Sequence, residues 1–241
     1  MADLGTVLWK EAREFAGNRR FLRLFGIAVL LFGILPSLEH RTAQSAGAAA
    51  LAAVVGLAYV GFSSAIVVAQ TAPDLVLHER TGHTLEYLLA TRLPDAAIFV
   101  GKVLVAAAVG YGTALLTVVV QVLAANLLRH GGAGAGWQWG SLASPVGRVL
   151  ALGGPAALDL YIATVGTFVA LRAGDQRAAY MVTMLCVGIL VLPFVFGLLP
   201  VHGTTAWAGQ TVAELAGLAL VLVAIGIALF RRERLVLYLQ E

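Results

Sequence analysis

Long uninterrupted apolar runs recur along the chain, and they constrain its fold more than any other feature. Six can be delimited, at residues 21–38, 46–71, 96–128, 146–170, 178–199 and 210–230. A helix of roughly 20 apolar residues spans the ~30 Å hydrocarbon core of a bilayer. A transmembrane barrel would instead show segments of about ten residues with strict alternation. The sequence therefore predicts an all-α, polytopic membrane protein with six transmembrane helices.

The low charge content supports this interpretation. Only 12% of the residues are charged and 60% are hydrophobic, whereas a soluble domain carries roughly 25% charged residues. The single cysteine, Cys186, excludes an internal disulfide and a cysteine metal cluster. The five histidines show no metal-ligand spacing, so no metal site is expected.

Basic residues are divided unequally between the segments predicted on one side of the membrane and those predicted on the other. Thirteen of the 16 Lys and Arg residues lie in or beside the N-terminus, the second and fourth connections and the C-terminus. Because basic residues stay on the cytoplasmic side, both termini are predicted to be cytoplasmic, in a multi-pass protein of the cell (inner or plasma) membrane. An odd number of spans would mix the two sets. Since the basic residues flank apolar segments, no nucleic-acid partner is expected.

The first 20 residues mix acids and bases, and they are predicted to form a retained amphipathic helix at the membrane interface, with a solvated lead-in as the alternative. Leu4, Leu8 and Phe15 fall on one side at helical spacing, whereas Lys10 and Arg13 point elsewhere. The rest of the chain, 21–241, is predicted to be one six-helix transmembrane domain without a soluble domain.

Prolines and glycines indicate where spans are expected to end or bend. Pro36 is expected to end the first span, and the second is expected to stop near Thr71, before a polar segment that starts at Pro73. In the fourth span, the Gly-Gly-Pro triplet at 153–155 is expected to break or kink the helix, so that the span proper starts near Pro155.

Three polar residues inside the predicted spans are candidates for a transport pathway. Asp159 is the clearest, because an ionisable group inside a span is a functional candidate by default. With a helix start near Pro155, Asp159 would lie one turn from the positive dipole end, which leaves a structural role open beside a pathway role. Gln121 and Asn126 are the other two, with interhelical hydrogen bonding as the alternative.

The most polar stretch of the chain is the predicted cytoplasmic connection at 73–94. Leu85 and Leu88 stand at helical spacing, so part of the connection is predicted to be an amphipathic helix, with Gly82 interrupting the pattern and Pro94 ending it. A short helix held between two long spans is suited to transmit force from a soluble partner. A solvated connector is the alternative.

This connection and the start of the third span carry a distinctive sequence pattern. Residues 79–94 read ERTGHTLEYLLATRLP, and residues 98–104 read IFVGKVL. Together they resemble the cytoplasmic loop of type-2 ABC transporter permeases, whose usual pattern is E-R-x-x-G-T-L-E-x-L-L-A-T-P-L followed by G-K-x-L. His83 is additional to that pattern, and Arg92 replaces its usual proline.

The resemblance implies the transmembrane permease subunit of an ATP-driven ABC transporter, and an exporter. The loop would form a coupling helix that docks on a separate ATP-binding subunit, and a second permease copy or a related permease chain would complete the pathway. Gly101 and Lys102 would lie at the start of the third helix. By the same resemblance, the ATPase-coupling role falls on Glu79, Arg80, Gly82, Thr84, Leu85 and Glu86.

A nucleotide-binding motif is missing from the sequence. The one Gly-Lys pair, Gly101-Lys102, is followed by Val103 and lacks the upstream glycine of a Walker A motif. The chain is therefore not expected to be an enzyme or to bind a cofactor, and ATP and Mg²⁺ would be used by the partner subunit.

Two alternative functions remain open. The stretches 150–155 and 192–196 and the turn at 172–177 are similar to the heme-exporter-type channel subunit of cytochrome c maturation. An ATPase-independent transporter or scaffold is the other alternative. Such a protein would carry charged residues deep in several spans, and only Asp159 clearly qualifies here.

Overall fold

The computed structural model shows the all-α architecture that the apolar runs predict. It describes residues 5, 9, 10, 13, 17, 19–42, 46–81, 94–128, 139–173, 175–198 and 205–230, with the backbone alone at 19–21, 39–42, 46–53, 80–81, 140–141 and 190–198. The long helices in these ranges are α1 (Arg19–Thr42), α2 (Ala46–Thr81), α3 (Asp95–Leu127), α4 (Pro145–Ala170), α5 (Gln176–Leu198) and α6 (Thr205–Leu229). A 3₁₀ turn, Gly140–Ala143, precedes α4.

Four of these helices are long and apolar enough to cross a bilayer. The apolar part of α2 is Val54–Glu79, and α3, α4 and α6 qualify over their full lengths. α1 contains a shorter apolar stretch, Leu22–Leu38. By length and composition the chain is therefore a helical membrane protein, and the count of six crossings stays a prediction.

Part of the predicted interfacial helix is described. Gly5, Trp9, Lys10, Arg13 and Gly17 are all helical, and each except the partly buried Lys10 is exposed. These positions lie before α1, as the sequence predicts, and their association with a membrane interface stays a prediction.

Local sequence determines where α3 and α4 begin. Pro94 precedes α3 in an extended conformation, and its carbonyl accepts a hydrogen bond from the N–H of Ala97 at 2.9 Å. The Ser144 hydroxyl caps α4 by accepting a hydrogen bond from the N–H of Gly147 at 2.9 Å. Pro145 occupies the first turn of α4, where a missing N–H is tolerated.

The helices continue beyond the positions where proline is expected to end or break them, although the apolar stretch of α1 does end at Leu38. A break at 153–155 is wrong, and a kink there stays a prediction. α1 continues through Pro36, α2 continues past Thr71 and through Pro73 to Thr81, and α4 is continuous through 153–155. In lipid an unbroken helix is favoured, because no water is present to bond freed backbone groups and neighbouring helices compensate for proline. The first part of the predicted cytoplasmic connection therefore belongs to α2.

At Pro36 the compensating group is a side chain of another helix. Proline cannot donate to the carbonyl of Phe32, one turn earlier. The side-chain amide of Gln121 on α3 donates to that carbonyl instead, with an N–O distance of 3.3 Å. The Ser37 hydroxyl in turn donates to the backbone carbonyl of Gln121 at 3.1 Å. α1 thus stays helical across its proline through contacts with α3.

The helices α2, α3 and α4 pack together at the centre of the bundle. α1 packs on α2 and α3, α5 on α2 and α4, and α6 mainly on α4. Small residues allow close approach: the ring of Phe99 lies against Gly226 of α6. The bulky buried side chains of this centre include Val68, Ile98, Phe99, Val103 and Ile162. Most of the candidate functional residues discussed next belong to the three central helices, and Lys10 belongs to the segment before α1.

Candidate functional site

Three charged side chains form a cluster where α2 ends and α3 begins. Glu79, in the last turn of α2, makes ion pairs with Lys102 and Lys10, each with an N–O distance of 2.7 Å. The side chains of Glu79 and Lys102 are each 3% exposed, whereas that of Lys10 is 39% exposed. The cluster is therefore a buried ion pair with one partly solvated cation at its edge.

Lys102 also bonds to the backbone of α2. Its Nζ donates to the carbonyl of Leu75 at 2.8 Å, while it pairs with Glu79 one turn later. A buried ion pair compensates for the desolvation of its charges only when the geometry is good and further hydrogen bonds are made. Lys102 thus holds the end of α2 against the beginning of α3, on both sides of segment 82–93.

Other parts of the chain meet at the same end of the bundle. Lys10 brings the N-terminal segment there, and the side-chain amide of Gln176, at the start of α5, donates to the Asp74 carboxylate at 2.8 Å. Phe230, which follows α6, packs on Phe99 with ring centroids 5.6 Å apart. The N-terminal segment, the end of α2, the starts of α3 and α5 and the end of α6 therefore come together at one end of the bundle. Most of the basic residues of the chain lie in or beside these segments.

The predicted coupling residues are only partly described. Glu79 is buried, and its carboxylate faces Lys102 and Lys10. Arg80 is helical, and its side chain lies outside the described part. Also outside the described residues lie Gly82, Thr84, Leu85 and Glu86. The coupling role of this set stays a prediction.

Gly101 and Lys102 lie within the first two turns of α3. α3 begins at Asp95, directly after Pro94, so these two residues are about two turns into the helix. Both are buried. A lysine is accommodated at this depth because Glu79 of α2 reaches it.

Asp159 lies in the middle of α4 rather than one turn from a helix start. Because α4 begins at Pro145 and not near Pro155, about four turns separate Asp159 from the positive end of the helix dipole. Its side chain is 0% exposed and lies against Gly110, near the midpoint of α3. Asp159 therefore places a carboxyl group at the centre of the bundle.

The Asp159 carboxyl has no hydrogen-bond donor among the described residues, since Oδ1 and Oδ2 are both buried without a partner. Ser64 of α2 lies beside it, but the Ser64 hydroxyl donates to the carbonyl of Gly61 at 3.1 Å. A Cβ atom on Gly110 would lie 2.8 Å from Asp159 Cγ, so the glycine makes room for the carboxyl. A buried polar group without a partner is energetically unfavourable, which makes Asp159 a candidate functional residue.

The other two pathway candidates form hydrogen bonds inside the bundle. Gln121 Nε2 donates to the carbonyls of Gly56 at 3.0 Å and Phe32 at 3.3 Å, which connects α3 to α2 and α1. Asn126 Nδ2 donates to the carbonyl of Val122 in its own helix at 2.7 Å. These contacts favour the structural alternative for Gln121.

Lys10 is a member of the charge cluster that the sequence does not identify. It lies 69 residues from Glu79 in the chain, and no local pattern links the two. The position of Lys102 in an apolar run does indicate a partner, because a lysine inside an apolar helix requires a counter-charge or a route to water.

A metal site is not formed by the described residues, which contain no group of three or more His, Cys, Asp or Glu side chains placed to hold an ion. The carboxylate of Glu79 already has two lysine partners. A cation would be repelled by those lysines, so the charge cluster is suited to holding helices together.

Substituting Gln121 with leucine is expected to lower the free energy of unfolding by about 1 kcal/mol, because the Phe32 carbonyl loses its donor in a region without water. Pro36→Ala provides the matched test, since alanine restores a backbone N–H for the same carbonyl. We expect Gln121→Leu to be less destabilising in the Pro36→Ala background, measured by unfolding in mixed micelles. Equal effects in both backgrounds would contradict the compensation.

No known protein family and no curated protein matches this chain. The functional proposal therefore rests on the charge cluster, the buried carboxyl and the sequence pattern at 79–104.

Proposed function

We propose that this chain is the transmembrane permease subunit of an ATP-driven ABC transporter, and that it works as an exporter. The observation that carries the proposal is the buried pair of Glu79 and Lys102, joined by Lys10. The pair connects the two helices that flank segment 82–93, which lies within the stretch that resembles a coupling helix. Movement imposed on that segment would reach α2 and α3 together.

α2 is suited to carry this movement across the membrane. It is unbroken over 36 residues, which corresponds to about 54 Å at 1.5 Å per residue, against a bilayer core of about 30 Å. The helix is therefore long enough to cross the core and to project beyond it. Residues 74–81 form its last turns, so the proposed lever includes α2 itself as well as the loop that follows.

Six crossings with both termini in the cytoplasm are part of the proposal. Contacts at one end of the bundle support it, because Lys10 precedes α1, Gln176 begins α5 and Phe230 follows α6. This grouping is expected when each successive helix crosses once. The unequal distribution of basic residues assigns that end to the cytoplasm.

The chain would form part of a pathway and would depend on other subunits for energy. Two ATP-binding subunits would bind ATP and Mg²⁺, and a second permease copy or a related permease chain would complete the membrane domain. The missing Walker A motif supports this division of roles. No cofactor is proposed for the chain itself.

Affinity purification of the full chain from its native membrane tests the proposal. We expect an ATP-binding chain to co-purify and its ATPase rate to rise when the permease is present in proteoliposomes. Gly82→Pro should reduce that stimulation severalfold without preventing insertion, because proline disrupts the start of the coupling segment. Gly131→Pro is the control and should leave stimulation unchanged, because residue 131 lies in the third connection, between runs 96–128 and 146–170, which is predicted to lie on the opposite side of the membrane. Purification without any ATP-binding chain would contradict the proposal.

A second candidate function is a transporter that works without an ATPase. The observation that favours it is Asp159, a fully buried carboxyl at the centre of the bundle, because such groups mark ion and proton pathways. Solute uptake by proteoliposomes that contain this chain alone, driven by an ion gradient, would support this candidate. Co-purification with cytochrome c maturation proteins would instead favour the heme-exporter alternative.

A further inference from the structure

We propose that Asp159 is an intramembrane proton-binding site, which holds a proton while α2, α3 and α4 are packed together and releases it to water when they separate. The proposal does not depend on the permease role. It starts from the position of the carboxyl, which is 0% exposed and has no hydrogen-bond donor for either oxygen among the described residues.

The groups that face Asp159 are uncharged. α2 contributes Ser64 and Val68, and α3 contributes Gly110. No Asp, Glu, Lys, Arg or His from the described parts of α2, α3, α5 or α6 interacts with it electrostatically. An isolated ionised carboxylate in an apolar interior is so unfavourable that the group takes up a proton instead. The surroundings are therefore those of a neutral carboxylic acid.

Ser64 lies beside the carboxyl, and its hydroxyl also donates to the carbonyl of Gly61 at 3.1 Å. A hydroxyl group can donate or accept a hydrogen bond, so it can serve either protonation state of Asp159. A single hydroxyl that is shared with a backbone carbonyl does not compensate for the desolvation of a full negative charge. The neutral acid is therefore the form that these surroundings accommodate.

The contact between α2 and α3 continues away from Asp159 with further hydroxyl groups. Ser63 and Thr117 lie 3.0 Å apart, and Thr117 donates to the carbonyl of Thr113 at 2.8 Å. Hydroxyl groups along this contact would hydrate readily if α4 moved away from α2 and α3. Water entering there would accept the proton and solvate the carboxylate that remains. Proton uptake thus favours the packed arrangement of the three helices.

Infrared spectroscopy of the full chain reconstituted in lipid tests the proposal at pH 7, where an exposed aspartate, with an ordinary pKa of about 3.9, is ionised. We expect a protonated-carboxyl stretch in the wild type that is lost in Asp159→Asn. Asp175→Asn is the control, because Asp175 is exposed and asparagine retains its capping of the Ala178 N–H. In that variant the band should persist.

Two further measurements keep the proposal falsifiable if Asp159→Asn does not insert. Isotopic labelling of the aspartate carboxyl groups in the wild type should shift the protonated-carboxyl band. A band from Glu79 would not shift, so the labelling distinguishes Asp159 from Glu79. Unfolding in SDS at pH 7 should release about one proton per chain, since the carboxyl ionises on exposure to water. A wild type without a protonated band, or with a carboxylate band that responds to Na⁺, would overturn the proposal.

Discussion

Glu79→Ala is expected to lower the free energy of unfolding by about 3–5 kcal/mol, because it leaves Lys102 buried without its counter-charge. The Lys102 side chain is 3% exposed and would keep its hydrogen bond to the Leu75 carbonyl. That neutral acceptor cannot replace the carboxylate. Reversible unfolding of the purified chain in mixed micelles measures the change.

Two control variants separate the buried pair from the solvated cation. Lys102→Met in the Glu79→Ala background removes the unpaired charge and should restore most of the lost stability, since apolar replacements of a buried ion pair are often neutral. Lys10→Ala should change the unfolding free energy by no more than about 1 kcal/mol, because that side chain is 39% exposed. An effect of Lys10→Ala as large as that of Glu79→Ala would contradict this description of the cluster.

The double variant also isolates the proposed coupling role of Glu79. Glu79→Ala alone changes both stability and any coupling, so a loss of transport in it has two explanations. With Lys102→Met added, the helices remain packed while the buried ion pair is gone, and Lys10 remains as a partly exposed charge. Loss of ATPase stimulation in the stable double variant would assign the charges a role in coupling, and unchanged stimulation would limit them to holding α2 against α3.

Gly110→Ala is expected to destabilise the bundle by about 1–3 kcal/mol, the usual effect of overpacking a close-packed core. The added Cβ would overlap Val68 of α2 and would lie 2.8 Å from Asp159 Cγ on α4. Thermal or SDS unfolding of the reconstituted variant measures the loss. The matched control is Gly112→Ala on the same helix, where a Cβ would have no atom within 4 Å. That change should be neutral or slightly stabilising, because alanine is the better helix former.

Val68→Ala should partly suppress the effect of Gly110→Ala. It removes the methyl group that a Cβ at position 110 would overlap, although it leaves the contact with Asp159. A double variant more stable than the sum of the single effects would support the close packing of α2 on α3. Identical losses in Gly110→Ala and Gly112→Ala would contradict it.

The sequence predicts the helices well because their causes are local. Continuous apolar runs locate the long helices, and Pro94 marks the start of α3 to within a residue. The helix ends expected near Pro36 and Thr71 and the break expected at 153–155 fail, because each expectation considers a helix without the neighbours that pack on it. At Pro36 the missing donor comes from Gln121, 89 residues from the carbonyl that it satisfies. A contact of that separation has no signature in a single sequence.

The candidate site is predictable in part. Asp159 is recognisable as an intramembrane charge, but its depth depends on where α4 begins. The Ser144-Pro145 start supplies that information and outweighs the later proline. The partners of Glu79 are not recognisable, because Lys10 and Lys102 reach it only after α2, α3 and the N-terminal segment have packed.

The hydrogen bond from the Gln121 side chain to the Phe32 carbonyl, beside Pro36, gives α1 an unusual mechanical property. A normal helix resists bending through its own backbone, but at this point the restraint is an amide on a neighbouring helix. A rotation of α3 that withdraws the amide would leave a proline-weakened joint, and α1 would then flex there. Turning of α3 would in this way be converted into bending of α1.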